Sequence, residues 1–465
     1  MKKDNNDLSR RDFLRRMGVG VGTAVTAMML EPFDGLAETG RRKKKAKADG
    51  SAPDEQPAAL AKGMTFRIQK GTGDHVGLLG YGMMRLPSRD RQIDQEMVNQ
   101  EVDYAIEHGV NYFDSSPVYS GGRSEESMGI ALSRHPREKY LVATKLSNFN
   151  RNDWTLEKAK EMYANSKRNL KVDVIDYYLM HSVAGSMDEL RGRFLDNGVL
   201  NWLQEERKAG GIRNLGFSHH GDVRVFDYLL SLHDEVHWDF VQIQMNYLDW
   251  RHGKSSRNTD AEYLYNKLDK LGIQAVIMEP LRGGRLANLP DESARLLKER
   301  RPDDSIASWA FRWAGSHPNI LTVLSGMTTM EVLQENVRTF SPLDVCTAEE
   351  NALLEHVADS VAGFPTVPCT ACNYCMPCAF GVDIPGNFAY YNKAIDSKLL
   401  PLPDKTSPEY AERAKKFADG YRETLPNTSW ATKCTDCEAC LSKCPQQIRI
   451  PNQLSRIAEL TRRQR

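Results

Sequence analysis

The sequence predicts an α/β protein: a TIM (β/α)8 barrel followed by a small, mainly helical domain that carries nearly all of the cysteine. Three observations predict this. Between residues 64 and 340, eight short apolar runs rich in β-branched residues alternate with longer stretches of helical periodicity. With 465 residues, the chain is long enough for one barrel of about 250 residues with additions at both ends. Eight of the nine cysteines fall between Cys369 and Cys444, which marks a cofactor module and not a chain-wide disulfide framework. The 62 Lys and Arg residues balance the 62 Asp and Glu residues. That balance argues against a nucleic-acid partner and against a wholly disordered chain, since both usually show charge excess.

Residues 1–37 read as a signal peptide. Ser9-Arg10-Arg11-Asp12-Phe13-Leu14-Arg15 precedes an uncharged stretch of 14 residues, 17–30. A helix that spans a bilayer needs about 20 apolar residues, so no stable transmembrane anchor is expected. The paired arginines ahead of Phe13-Leu14 resemble a twin-arginine export signal. This implies the twin-arginine translocase as a partner during export and a periplasmic or cell-envelope location. Gly35 and Ala37 supply small residues for cleavage after Ala37; the competing reading is a basic amphipathic arm. Residues 38–63, with the run Arg41-Arg42-Lys43-Lys44-Lys45, read as a disordered basic linker.

Over residues 64–340 the strand candidates are 77–81, 110–113, 140–144, 174–180, 212–217, 240–244, 274–278 and 320–324. Helical segments lie between them. In 97–108, Val98, Val102, Ala105 and Ile106 recur at helical spacing, and 157–170 ends before a charged turn. Eight parallel strands, each followed by a helix, match a closed barrel better than an open sheet. Residues 65–68 and 75–77 flank Gly71-Thr72-Gly73 and predict a hairpin that caps the barrel bottom.

In such barrels the catalytic groups sit at the carboxyl ends of strands. Asp114, Lys145, His181 and Ser218-His219 occupy those positions here. Asp114-Ser115-Ser116-Pro117-Val118-Tyr119, Ala143-Thr144-Lys145 and Tyr178-Leu179-Met180-His181 together resemble the aldo/keto reductase family. The resemblance covers roughly residues 64–340. It implies a catalytic tetrad of Asp114, Tyr119, Lys145 and His181, a nicotinamide cofactor, NAD(P)(H), and a small carbonyl or alcohol substrate. Hydride delivered to a carbonyl carbon leaves charge on oxygen that needs a proton. Tyr119 would be the acid/base. A free phenol has a pKa of about 10, and Lys145, fixed by Asp114, is expected to lower it. His181 would orient the substrate oxygen.

The same resemblance implies cofactor contacts from Gly82 and Met83, in the loop Gly80 to Pro87, and from Ser218, Gln242, Pro280, Leu281, Arg282, Gly283, Gly326, Glu335 and Asn336. Members that prefer NADP place cations where Gly326 and Val332 stand, so a 2′-phosphate has no cation here. Met278 stands where many members stack an aromatic ring. His219 is read either as a substrate-side group or as a solvated strand-end residue.

The cysteines form two groups, Cys369-x2-Cys372-x2-Cys375-x2-Cys378 and Cys434-x2-Cys437-x2-Cys440-x3-Cys444-Pro445. The second resembles the two-cluster bacterial ferredoxin pattern, in which the fourth cysteine of each group reaches the other cluster. This implies two 4Fe-4S clusters, one on Cys369, Cys372, Cys375 and Cys444, the other on Cys434, Cys437, Cys440 and Cys378. Paired zinc sites and disulfides are the rival readings. Residues 388–394 and 410–421 read as helices, so the domain at 366–465 is mainly helical and ferredoxin-like, joined to the barrel by a connecting segment at 341–365. Cys346 reads as a small buried hydrophobe. The whole resembles the aldo/keto reductase subgroup fused to a C-terminal cluster domain. It implies an exported carbonyl reductase or alcohol oxidase with a redox partner protein. The alternative is a barrel without nicotinamide turnover, acting as a docking module for an envelope electron-transfer chain.

Overall fold

The computed structural model describes residues 63–90, 92–183, 185–253, 258–362, 366–401 and 408–461. The expected signal peptide, residues 1–37, and all but the last residue of the expected linker, residues 38–63, lie outside them. Among the described residues, no helix is long and apolar enough to cross a membrane.

A hairpin, β1 (Phe66–Ile68) with β2 (His75–Gly77), pairs antiparallel below the barrel. The barrel itself closes from eight strands, β3 (Leu79–Gly82), β6 (Tyr112–Asp114), β7 (Leu141–Leu146), β8 (Ile175–Met180), β9 (Ile212–His219), β10 (Phe240–Gln244), β11 (Gln274–Met278) and β12 (Ile320–Ser325). Each pairs in parallel with its neighbours, and β12 closes on β3. The short β4 (Ser88–Arg89) and β5 (Gln92–Ile93) form a separate ribbon. Val76 from the hairpin packs with Tyr112, Leu141, Tyr177, Phe240 and Val276 in one buried cluster, which fills the barrel interior. The interior is therefore packed below the strand ends and opens only at them.

The second barrel strand starts later than its apolar pattern suggests. Asn111 is spent on the hairpin: its side chain accepts from the Gly77 N–H at 2.8 Å and donates to the His75 carbonyl at 2.8 Å. Helices begin where caps are available. Asp94 accepts from the Met97 N–H, Thr155 from Lys158 and Thr329 from Val332. The 341–365 connection holds a helix of its own, Ala348–Ala362. Buried Glu350 pins it to the barrel through Arg301 at 2.5 Å and Arg312 at 2.9 Å.

After residue 366 the core gathers around three helices, Ile384–Asp396, Pro408–Thr424 and Ile450–Thr461. Phe388, Tyr391, Phe417, Tyr421, Leu454 and Ile457 are buried together, with Cys444 among them. The Tyr421 hydroxyl meets Asn387 at 2.5 Å and accepts from the Ala431 N–H at 2.8 Å, tying two helices to the second cysteine loop. Both helices are longer than their apolar centres suggest.

Candidate active site

Asp114 ends β6, Lys145 lies in β7, His181 follows β8, and Tyr119 stands on the turn after β6. The strands are adjacent, so the four side chains meet at one mouth. Lys145 Nζ donates to Asp114 Oδ1 at 2.6 Å and to the Ser115 carbonyl at 2.7 Å. Burial pushes the Asp114 carboxyl up and the Lys145 ammonium down, and each partner opposes the other's shift.

The Lys145 ammonium lies 4.9 Å from the centre of the Tyr119 ring. The expected lowering of the phenol's pKa is not what this geometry produces. Burial first, then Tyr374 and Asp114, hold Tyr119 well above its ordinary value. The Lys145 ammonium is paired with Asp114, whose own charge adds to the rise that burial causes. Tyr119 therefore stays protonated until charge develops on a substrate.

His181 Nδ1 lies 2.6 Å from Ser147 Oγ and 3.3 Å from Ser116 Oγ. With Nδ1 accepting from Ser147, the other ring nitrogen is left to donate to a ligand. Burial, with Lys145, Arg193 and His220 adding to it, keeps the pKa of His181 well below the usual range, so the ring is neutral. Arg193 holds the loop behind it by donating to the His181 carbonyl at 2.6 Å and the Ser182 carbonyl at 3.1 Å.

The tetrad lines a cavity of about 270 Å3. Of the expected cofactor residues, Gly82, Ser218, Gln242, Pro280, Leu281, Gly283 and Gly326 line it too. Met83, Arg282, Glu335 and Asn336 do not. Met83 is buried and its N–H donates to the Asp114 carbonyl at 2.8 Å. Arg282 lies 3.3 Å from Asp249, and Asn336 donates to Ser325 Oγ at 3.1 Å. His219 faces away and contacts the Val183 carbonyl at 3.0 Å, while its neighbour His220 lines the cavity. Burial lowers the pKa of His219 to about 4, which removes it as a substrate-side acid. Gln242 Oε1 is buried and has no hydrogen-bond partner among the described residues. That orphaned acceptor, beside Ser218, suits the carboxamide of a nicotinamide ring, so the ring end of the cofactor fits.

Three cavity groups had no motif to announce them. Glu279, left-handed at φ 57°, places a half-buried carboxyl on the wall, and its desolvation there raises its pKa. Arg85 donates to the Thr370 carbonyl. Tyr374 comes from the cysteine domain, stacks its ring 6.5 Å from that of Tyr119, and sets it 6.4 Å from His181 and 6.3 Å from Phe149.

The cysteine domain thus forms part of the barrel mouth. Thr370, Cys372, Tyr374, Pro445 and Gln446 all line the cavity. A side chain at Gly283, whose φ is 68°, would meet the Thr370 backbone at 2.5 Å, so this close approach needs glycine. Gln446 Nε2 donates to Gln244 Oε1 at 2.8 Å across the same junction.

The two cysteine groups follow the same backbone path. Ala371 and Asp436 are left-handed at φ 51° and 58°, and so are Asn373 and Glu438 at 65° and 58°. Electrostatic proximity groups Cys375 with Cys369, Cys372 and Cys444, and groups Cys440 with Cys434, Cys437 and Cys378. Among the described residues all cysteines are free of disulfides. Cys369, Cys372, Cys375 and Cys444 line a small hollow with Ile384, Phe388 and Ile448. Four thiols around an apolar hollow are a donor set that fits a cubane of iron and sulfide.

Fold and site together define a barrel oxidoreductase joined to an iron–sulfur module. Residues 78–359 match the aldo/keto reductase family model, and the chain belongs to that family. Residues 368–449 match a 4Fe-4S dicluster domain, so the tail carries two clusters. Among relatives, L-galactose dehydrogenase of Arabidopsis thaliana is 25% identical, over 62% of this chain and 92% of that protein. The NADH-specific methylglyoxal reductase of Escherichia coli is 26% identical over 58% and 92%. An aldo-keto reductase from Bacillus halodurans, solved in its holo form, superposes with a TM-score of 0.52 at 25% identity, covering 63% of this chain and 96% of that one.

Proposed function

We propose that the chain is an exported oxidoreductase that reduces a small carbonyl compound, or oxidises the matching alcohol, in the barrel and couples this to electron transfer through its two clusters. One observation carries the reading: the tetrad, the orphaned Gln242 acceptor and the cluster-binding loop around Cys372 and Tyr374 all line one cavity. When bound, the nicotinamide supplies a hydride to the carbonyl carbon. Ser218 and Gln242 hold its carboxamide. His181 donates to the substrate oxygen and orients it, and Tyr119 releases its proton as charge grows there. Lys145, anchored on Asp114, stabilises the phenolate so formed. With no cation at Gly326 or Val332, NADH is expected to serve at least as well as NADPH. The clusters supply one-electron storage, cluster one beside the cavity and cluster two, with exposed Cys437, toward a redox partner protein.

The twin-arginine motif supports export to the periplasm or envelope. Export that persists when both Arg10 and Arg11 are replaced by lysine would count against it. Carbonyl reduction by the anaerobically purified protein, with bleaching of the clusters on adding NADH or NADPH, tests the catalytic reading. Full activity in Tyr119→Phe would reject it. A second reading, a barrel that docks in an envelope electron chain without nicotinamide turnover, is favoured by one contact. Thr370 packs onto Gly283, on the loop that would hold the pyrophosphate. Failure of NADH and NADPH to bind on calorimetric titration would select it.

A further inference from the structure

The loops that carry the two clusters are near copies in backbone path, yet only the first places an aromatic ring before its third cysteine. Where the first has Tyr374, five residues after its first cysteine, the second has Ala439. Cluster binding at this spacing therefore needs no aromatic ring there. The ring has a different neighbourhood: it lies 6.5 Å from Tyr119 in near-parallel orientation, 6.4 Å from His181 and 6.3 Å from Phe149. The two phenols are close enough for Tyr374 to raise the pKa of Tyr119. Tyr119 and His181 are the two groups that would hold a substrate oxygen, and the Tyr374 ring lies against both. It also lines both the tetrad cavity and a groove of about 1310 Å3 that opens beside Phe149, Trp154, Arg123 and Lys443.

We infer that Tyr374 is a positioning residue which the cluster domain lends to the barrel: its hydroxyl stands in for the substrate oxygen on Tyr119, and its displacement links occupancy of the tetrad to cluster one. The link is short because Cys372 and Cys375, both ligands of cluster one, flank Tyr374 in the chain. Replacing the Tyr374 contact on Tyr119 by one from the substrate moves the loop that holds two of the four thiolates. Nothing comparable reaches cluster two.

Potentiometric titration of the full-length, two-cluster protein tests this without a substrate. Tyr374→Phe keeps the ring and removes the hydroxyl; Tyr119→Phe removes the other hydroxyl of the pair. Each is expected to shift the same one of the two midpoint potentials, in the same direction, and the double variant is expected to add nothing further. Additive shifts, a shift of both potentials, or none with Tyr119→Phe would overturn the proposal. A kinetic arm rests on the carbonyl-reducing reading, with benzaldehyde and NADH as probes. A buried hydroxyl pair is worth about 1 kcal/mol, so Tyr374→Phe is expected to lower KM roughly five-fold, the change falling on KM more than on kcat. A KM that stays or rises overturns the stand-in role. Absence of benzaldehyde turnover in the wild type bears on the proposed reaction alone, and the potentials still decide the link.

Discussion

The barrel site and the cluster sites of this chain are built by opposite means. In the barrel, the tetrad hangs from strand ends and one turn, and the sheet is hydrogen-bonded all the way round. Lys145 is held by Asp114 and by the Ser115 carbonyl, both groups of the barrel itself. In the tail, the cysteines sit on loops bent by left-handed residues and packed against a helical core. The barrel therefore holds its geometry before any cofactor arrives, whereas the tail's loops have no internal ladder and depend on the cluster to hold them. A preformed site and a cofactor-made site respond differently to damage, and that difference can be measured.

The largest effect is expected from Cys444→Ser. It removes the fourth ligand of the cluster whose other three cysteines lie some 70 residues earlier in sequence. Iron and sulfide analysis should show about half of each lost, with the cluster on Cys434, Cys437 and Cys440 retained. Limited proteolysis should then cut within 366–461 and spare the barrel. Loss of the neighbouring cluster instead would break the cross-paired assignment.

Lys145→Met strikes the barrel. It strands Asp114 as a buried carboxylate, which costs about 3–5 kcal/mol of stability when a buried pair loses one member. It also removes the charge beside the incipient phenolate, so kcat/KM for carbonyl reduction should fall roughly 1000-fold or more. Tyr119→Phe should lose roughly 100- to 10,000-fold in kcat with a far smaller change in melting temperature, because only the proton donor goes. Equal thermal losses in both variants would mean that the pair is not the structural anchor.

A gentler effect concerns pH. The folded-state pKa of His181 lies well below the ordinary 6.5. Protonation therefore favours the unfolded chain, and the residue's contribution to stability declines as pH falls below about 6.5. In the native range the ring stays neutral, so kcat/KM should show no inflection from His181 between about pH 6 and 8. An inflection near 6.5 that vanishes in His181→Asn would place a charged imidazole in the cavity.

The same contrast explains what could be read from sequence. The eight barrel strands, the tetrad and the two cysteine sets were legible because short-range spacing fixes them: strand-end polar residues and Cys-x2-Cys steps each carry their geometry within a few positions. Tyr374 was not legible as a barrel residue, since its contact with Tyr119 spans the junction of two domains, and only the fold brings them together. The exchange of His219 for His220 was a matter of one residue of strand register, which decides the side a chain faces. The direction of the Tyr119 shift depended on how deeply the phenol is buried, which only the fold reveals. The helix Ala348–Ala362 announced itself only through Glu350, whose arginine partners lie 38 and 49 residues earlier.

The smallest expected effect lies at the junction itself. Gln446 and Gln244 share one hydrogen bond of 2.8 Å between neutral groups, and Gln244 is already held at its amide end by a neighbouring contact. Gln446→Ala should cost about 1 kcal/mol, or no more than about 2 °C in a chain of this size. The pair Gln446→Ala with Gln244→Ala should cost little more than Gln244→Ala alone, which also gives up the bond to Asp249. The small size is informative. If docking of the tail rests on backbone fit at Gly283 and on Tyr374, trimming this polar contact leaves the cavity intact, and the Tyr119 environment reported by carbonyl kinetics stays as it was. A large loss of activity in Gln446→Ala would instead make the rim hydrogen bond, and not the loop around cluster one, the feature that holds the two regions in register.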